Sequence, residues 1–226
     1  MKTIRVLFAC AFLPSLALAA GCSSDAPDSG EQVACPGPDC ECTGTACLCP
    51  AGTSCGLSCL ALDGAACALD CVEGTACETD CGDEACEVDC TDMADCLVDA
   101  MGDTDVACST GASCDVATSG DGADLRCETG AECRFEASGA DGEVECASGS
   151  ACTVLSGRDA DVSCSDAECD VTLADEGDLE CERGATCRVT CEADCSVACR
   201  DTSSCEIRCG PETEFRAVDE EGTCES

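Results

Sequence analysis

Histidine, tryptophan and tyrosine are absent from this 226-residue chain, and of its four phenylalanines only Phe135 and Phe215 lie beyond residue 20. Without histidine there is no imidazole for a Ser-His or Cys-His nucleophile, which removes the commonest hydrolase designs. Lysine occurs once, at Lys2, and the C-x-x-C spacing does not occur at all. Zinc knuckles and a thioredoxin-type redox centre are therefore both unsupported. So few large side chains leave too little volume for a conventional core, and a covalent substitute is required.

What the chain has instead is acid and cysteine. All 48 Asp and Glu lie beyond residue 22, against eight Arg there, so that part carries about forty net negative charges by formal count. Such a surface repels nucleic acid and anionic headgroups, so neither is an expected partner. It keeps the chain soluble, and its hard carboxylate oxygens also suit Ca²⁺.

The first residues have a different character. Lys2 and Arg5 precede an apolar run over residues 6–20 that is too short to span a bilayer and ends in small residues; this is the pattern of a secretion signal. The ending "LALAAGC" resembles the lipobox of bacterial lipoproteins, with Ala19 where leucine is commonest. The resemblance implies that residues 1–21 are removed and that Cys22 becomes a lipidated first residue, a membrane anchor through its acyl chains. Ser23 in place of the aspartate that retains such proteins at the inner membrane implies the outer membrane of the cell envelope, facing the periplasm or the cell surface. Residues 22–34, small, polar and acidic, read as a flexible tether.

Of 32 cysteines, Cys10 leaves with the signal and Cys22 takes lipid, which leaves thirty in an exported chain, an even number that reads as a disulfide framework. Pairing each cysteine with its next neighbour from Cys35 onward gives nearly uniform loops. The clearest pairs are Cys71 with Cys77, Cys90 with Cys96, Cys108 with Cys114, Cys127 with Cys133, Cys146 with Cys152, Cys164 with Cys169, Cys181 with Cys187, and Cys199 with Cys205. Twelve of the fifteen pairs enclose four or five residues; the exceptions are Cys59/Cys67, Cys191/Cys195 and Cys209/Cys224. A thiolate metal store is the rival account, but its C-x-C spacing occurs only at Cys40/Cys42 and Cys47/Cys49.

Between the loops run segments such as "CEVDC", "CRFEA", "CTVLS" and "CEIRC", with alternate positions apolar. That period of two marks short strands with one buried face. Val106, Leu125, Val144, Val162 and Leu179 recur at intervals of 19, 19, 18 and 17 residues, and Val116, Phe135, Val154, Val171 and Val189 at 19, 19, 17 and 18. Two strands per repeat, in register, predict an all-β, two-sided parallel solenoid of about eight coils over residues 35–210. Each cysteine loop would form one corner, and runs such as "SGDGAD" and "SGRDAD" the other. Proline is absent from residues 51–210, as ladders require, while Pro36, Pro38 and Pro50 mark an irregular N-terminal piece. Residues 211–226 would cap the last coil. The alternative is a string of disulfide-knotted loops without a continuous sheet. Insect ice-binding solenoids are similar in combining short repeats with disulfide-braced coils, but their T-x-T face is missing here, so ice binding is not implied.

The expected function is a non-catalytic, lipid-anchored surface or envelope protein with a structural or adhesion-type role. A second expectation is Ca²⁺ binding by corner carboxylates, with Asp121 beside Asp124, Asp141 beside Glu143, and Asp159 beside Asp161 as the candidate ligands. These loops do not match the G-G-x-G-x-D nonapeptide of calcium-binding β-rolls. A polysaccharide-cleaving β-helix is the remaining class. It would need two specific carboxylates, and nothing singles out a pair among 48. No cofactor is otherwise expected.

Overall fold

A computed structural model describes residues 41–43, 45–59, 66–147, 149–201 and 203–224. The expected leader, Cys22, the tether and the Cys35/Cys40 pair lie outside the described residues. Twenty-one strands and no helix are present among those described. The first are β1 (Glu41–Thr43), β2 (Ala46–Cys49), β3 (Ser54–Ser58), β4 (Cys67–Cys71), β5 (Ala76–Gly82), β6 (Cys86–Cys90) and β7 (Asp95–Ala100). There follow β8 (Thr104–Cys108), β9 (Ser113–Thr118), β10 (Asp124–Cys127), β11 (Glu132–Ala137), β12 (Glu143–Ala147), β13 (Ala151–Leu155) and β14 (Asp161–Ser165). The last are β15 (Glu168–Leu173), β16 (Gly177–Glu182), β17 (Thr186–Cys191), β18 (Cys195–Cys199), β19 (Ser204–Cys209), β20 (Arg216–Val218) and β21 (Glu221–Cys224).

The even strands from β2 to β18 stack in parallel to form one sheet, and the odd strands from β3 to β19 form the other. Each consecutive even and odd pair is one coil, so the molecule is a two-sided β-solenoid of about nine turns. At about 4.8 Å per coil the stack is on the order of 40 Å long. The continuous sheets exclude the string of separate loops. The count exceeds the expected eight because β2 and β3, in the stretch that Pro50 makes look irregular, already form a coil. Pro50 sits in the loop between them, where its carbonyl accepts from the Thr53 amide.

Alternation fixes which face is buried. In β6, "CEVDC", Cys86, Val88 and Cys90 point inward while Glu87 and Asp89 face water. Parallel pairing then stacks like on like. One buried ladder runs Leu69, Val88, Val106, Leu125, Val144, Val162, Leu179, Val197. The other runs Leu57, Thr79, Val98, Val116, Phe135, Val154, Val171, Val189, Ile207. These two ladders, one side chain per coil each, form the central stripes of the interior.

Along one edge the disulfides join Cys49 to Cys55, Cys71 to Cys77, Cys90 to Cys96, Cys108 to Cys114, Cys127 to Cys133, Cys146 to Cys152, Cys164 to Cys169, Cys181 to Cys187 and Cys199 to Cys205. Their half-cystines are register partners from coil to coil, Cys108 with Cys127 and Cys114 with Cys133 for example, so they form one column. The opposite edge carries Cys59–Cys67, Cys81–Cys86, Cys191–Cys195 and Cys209–Cys224 near the two ends. Cys47 is disulfide-bonded as well. A disulfide closing so short a loop contributes about 2 to 3 kcal/mol through the unfolded state.

Several loops of the long column turn on two residues in the left-handed region. Glu73 and Gly74 have φ of 46° and 69°, Thr110 and Gly111 56° and 72°, Thr129 and Gly130 52° and 73°. The residue after the pair donates back three residues, as Thr75 N–H does to the Val72 carbonyl. Paired positive φ with that hydrogen bond is a type I′ turn, and glycine suits its second position. At the opposite edge of the middle coils there is no cystine among the described residues. There Gly120, Gly139 and Gly157 lie so close beneath one another that a β-carbon on Gly139 would strike the Gly120 carbonyl oxygen.

At both ends of the described stack the chain folds back. β20 pairs antiparallel with β19 and β21 with β18, which covers the last edge of both sheets, while β1 covers β2 in the same manner. Phe215, just before β20, lies under two guanidinium groups, Arg188 at 4.1 Å and Arg208 at 4.9 Å from the ring centre.

Thr79 breaks the apolar ladder. It is buried between Leu57 and Val98, and its hydroxyl has no hydrogen-bond partner. Valine has the same branched shape without that unsatisfied group. Thr79→Val is expected to raise stability by about 1 kcal/mol, read as a higher guanidinium midpoint at unchanged slope. A lower midpoint would show that the hydroxyl is satisfied in solution.

Candidate functional site on the acidic face

The outward positions of the even-strand sheet bring together carboxylates far apart in sequence. Glu87, Asp105, Asp124, Glu143, Asp161 and Asp178 are consecutive register partners, with Ala68 before them and Ser196 after. Strand pairing spaces such rungs about 4.8 Å apart, so six carboxylates stand in one line. Beside that line Asp70 and Asp89 form a second acidic pair on adjacent strands.

Positive charge enters only part of this face. No Lys or Arg lies between Arg5 and Arg126. In the C-terminal half Arg126 meets Glu145 at 4.0 Å, and Arg200 donates to Glu180. On the other sheet Arg134 bridges Asp115 at 3.3 Å and Glu136 at 3.0 Å. These pairs are exposed and contribute little to stability.

Of the candidate ligands, Asp124, Glu143 and Asp161 share the strand ladder. Asp141 and Asp159 do not join it; they occupy left-handed corner positions with φ of 59° and 51°, and Glu176, at 60°, extends that series. The Glu176 carboxyl is held above its ordinary value by a hydrogen bond to Asp159 and by the charges of Asp159 and Asp175. Asp121 stands apart, because its carboxylate accepts from the Ala140 amide at 2.7 Å and so braces the next corner. Glu87, Asp105, Asp178 and Glu176 are not among the sequence candidates. The sequence does carry a signal for the first three, since each sits one residue before the inward Val or Leu of its strand.

Asp124 shows what the stacking costs. Burial, then the neighbouring charges of Asp105 and Glu143, raise its carboxyl above the usual value of 3.8, while a backbone hydrogen bond from Glu143 offsets part of that. A Ca²⁺ ion takes six to eight oxygens at about 2.3 to 2.6 Å. A ladder offers oxygens from one side only, so water would have to complete such a shell.

Cysteine sulfurs also cluster. Those of Cys71, Cys77 and Cys96 lie within 4.8 Å of one another, as do those of Cys164, Cys169 and Cys187. Each belongs to a disulfide. A metal prefers thiolate, and oxidised sulfur has none to give. On the odd-strand sheet an open, shallow groove runs past the carboxylates of Asp115, Glu132, Glu168 and Asp170 and the guanidinium groups of Arg134 and Arg188, a mixed but mostly acidic lining. Comparison with protein-family models, curated proteins and solved structures found no match.

A raised carboxyl disfavours the folded state at any pH where it must ionise. Its contribution is fully present below the unfolded value near 3.8 and is lost as pH rises through the folded one. Asp124→Asn is therefore expected to raise the melting temperature at pH 7 and to change it little near pH 3.5. A variant that melts lower at pH 7 would mean that the carboxylate is held by a partner rather than repelled.

Proposed function

We propose that this chain is a non-catalytic, lipid-anchored component of a bacterial cell envelope: an acidic, cystine-stapled rod on a short tether, with a structural or adhesion-type role at the outer membrane. The observation that supports this reading most is the column of nine stacked cystines along one edge of the coils. Such a column forms and persists in an oxidising compartment. It resists local opening, which protects the backbone from proteases outside the cell. The "LALAAGC" ending adds the route of export and the anchor at Cys22. The acidic face argues against nucleic acid and anionic lipid as partners.

The anchor is tested by Cys22→Ala in the full-length chain expressed in a bacterial host. The parent chain is expected in the outer-membrane fraction and in the detergent phase on phase separation, and the variant in the soluble exported fraction. Equal partitioning of the two would remove the lipid anchor from the proposal.

A second reading, Ca²⁺ binding, is favoured by the six-rung carboxylate line from Glu87 to Asp178. Calorimetric titration with Ca²⁺ that gives a saturable heat, lost on Glu143→Gln, would support it. The absence of saturable heat in the parent chain would eliminate it.

A further inference from the structure

The disulfides are not equally protected. Among the described residues every bridged cysteine is buried except Cys209, which is only partly buried. Its bridge to Cys224 also spans 15 residues, against four to eight for the others described. Among the described residues it is the outermost rung on its edge, since Cys191 and Cys195 pair with Cys209 and Cys224.

The surroundings of that sulfur are unusual for this chain. Arg216, one of eight arginines beyond the leader, donates to Cys209 Sγ at 3.3 Å and to the Thr223 carbonyl at 3.1 Å. The guanidinium thus sits against both arms of the bridge. Glu212 is also near, and its carboxylate accepts the Cys209 amide at 3.2 Å. Next to Arg216 an open hollow lies over the tail strands, lined by Ile207, Val218, Gly222 and Thr223 and rimmed by the carboxylates of Asp219, Glu220 and Glu221. At a partly exposed sulfur in contact with a fixed positive charge, that charge offsets at short range the repulsion an incoming thiolate meets from the surrounding carboxylates.

We propose that Cys209–Cys224 is a site of thiol–disulfide exchange with low-molecular-weight thiols, distinct from the inert structural cystines of the rod. The thiolate attacks Cys209 Sγ, the Sγ–Sγ bond breaks, and its electron pair leaves on Cys224 as a thiolate. Cys209 then carries the small thiol as a mixed disulfide. A second thiolate attacks the small thiol's sulfur, releases the oxidised small disulfide, and leaves Cys209 as a thiolate beside Arg216. Two thiols are oxidised and one cystine is reduced. Opening this bridge unlocks the tail that covers the last edges of both sheets, while the cystines of the coils stay closed.

The test treats the intact, oxidised protein with graded 2-mercaptoethanol, quenches with acid, alkylates and maps the peptides. Cys224 is expected as the alkylated thiol, and Cys209 as the mixed disulfide after short exposure and as the alkylated thiol once the second step completes, at about one-tenth or less of the thiol concentration that opens Cys127–Cys133, because buried bridges open only with sub-global unfolding. Another bridge opening first, or all opening in one step, would overturn the proposal. Arg216→Gln is expected to slow the exchange about tenfold through the lost local field, and Arg216→Lys to restore most of the rate, with unchanged β signal in circular dichroism. Faster exchange in Arg216→Gln would show that Arg216 only clamps the tail and would remove its role as the attracting charge.

Discussion

Parallel pairing in register places each residue of a coil directly beneath its equivalent in the next, and the rest of this molecule depends on that constraint. Stacking is favourable where the equivalents are apolar, as with Val144 between Leu125 and Val162, because each buries the other's flank. It is unfavourable where they are acidic, as with Asp124 between Asp105 and Glu143. The same register creates both ladders, one on each face of a strand. A chain that uses aspartate and glutamate for its outward positions accepts repulsion along the whole length of the rod.

Hydrophobic burial alone is poorly placed to offset that repulsion. The largest fully buried side chain is Phe135, and most of the rest are Val, Leu and cystine. The balance is restored in the unfolded state: short disulfide loops deny the open chain much of its freedom, so less ordering entropy opposes folding. Backbone hydrogen bonding helps as well, since even the loop turns reach the next coil. The Gly74 amide donates to the Asp92 carbonyl at 3.1 Å and Gly111 to Thr129 at 3.1 Å. The corners of the cystine column are thus tied twice, once within a coil by sulfur and once between coils by the backbone.

This division of labour explains what can be read from the sequence. The Val, Leu and Phe intervals near eighteen residues give the pairing partners directly, because a parallel ladder has one equivalent residue per coil. The uniform cysteine loops give the corners for the same reason. Less legible are features with no repeating letter. The first coil is hidden because Pro50 reads as a strand breaker, yet it stands in the loop where a missing amide costs nothing. Gly130 is visible as a turn residue, but the left-handed Thr129 before it is not, since the residue in that place varies from Glu to Thr to Arg. Nearness in sequence groups the corner acids one way, whereas the fold groups them by register. Asp124, Glu143 and Asp161 go to the strand face, Asp141 and Asp159 to the corner. Phe215 gives no signal of its stacking with Arg188 and Arg208, because those partners come from two different coils.

Charge is also uneven along the rod. From β1 to β9 there is no basic residue, whereas Arg126 and the seven arginines after it are spread over β10 to β20 and their loops. In the proposed arrangement the uncompensated half is the one nearest the tether and the lipid. Anionic headgroups repel such a surface over a screening length of about 8 Å at physiological ionic strength. If the chain is anchored as proposed, a rod whose base is repelled has its lowest energy standing away from the bilayer. The mixed-charge half, with its arginines and the Cys209–Cys224 bridge, is then presented outermost, where a small thiol would meet it first.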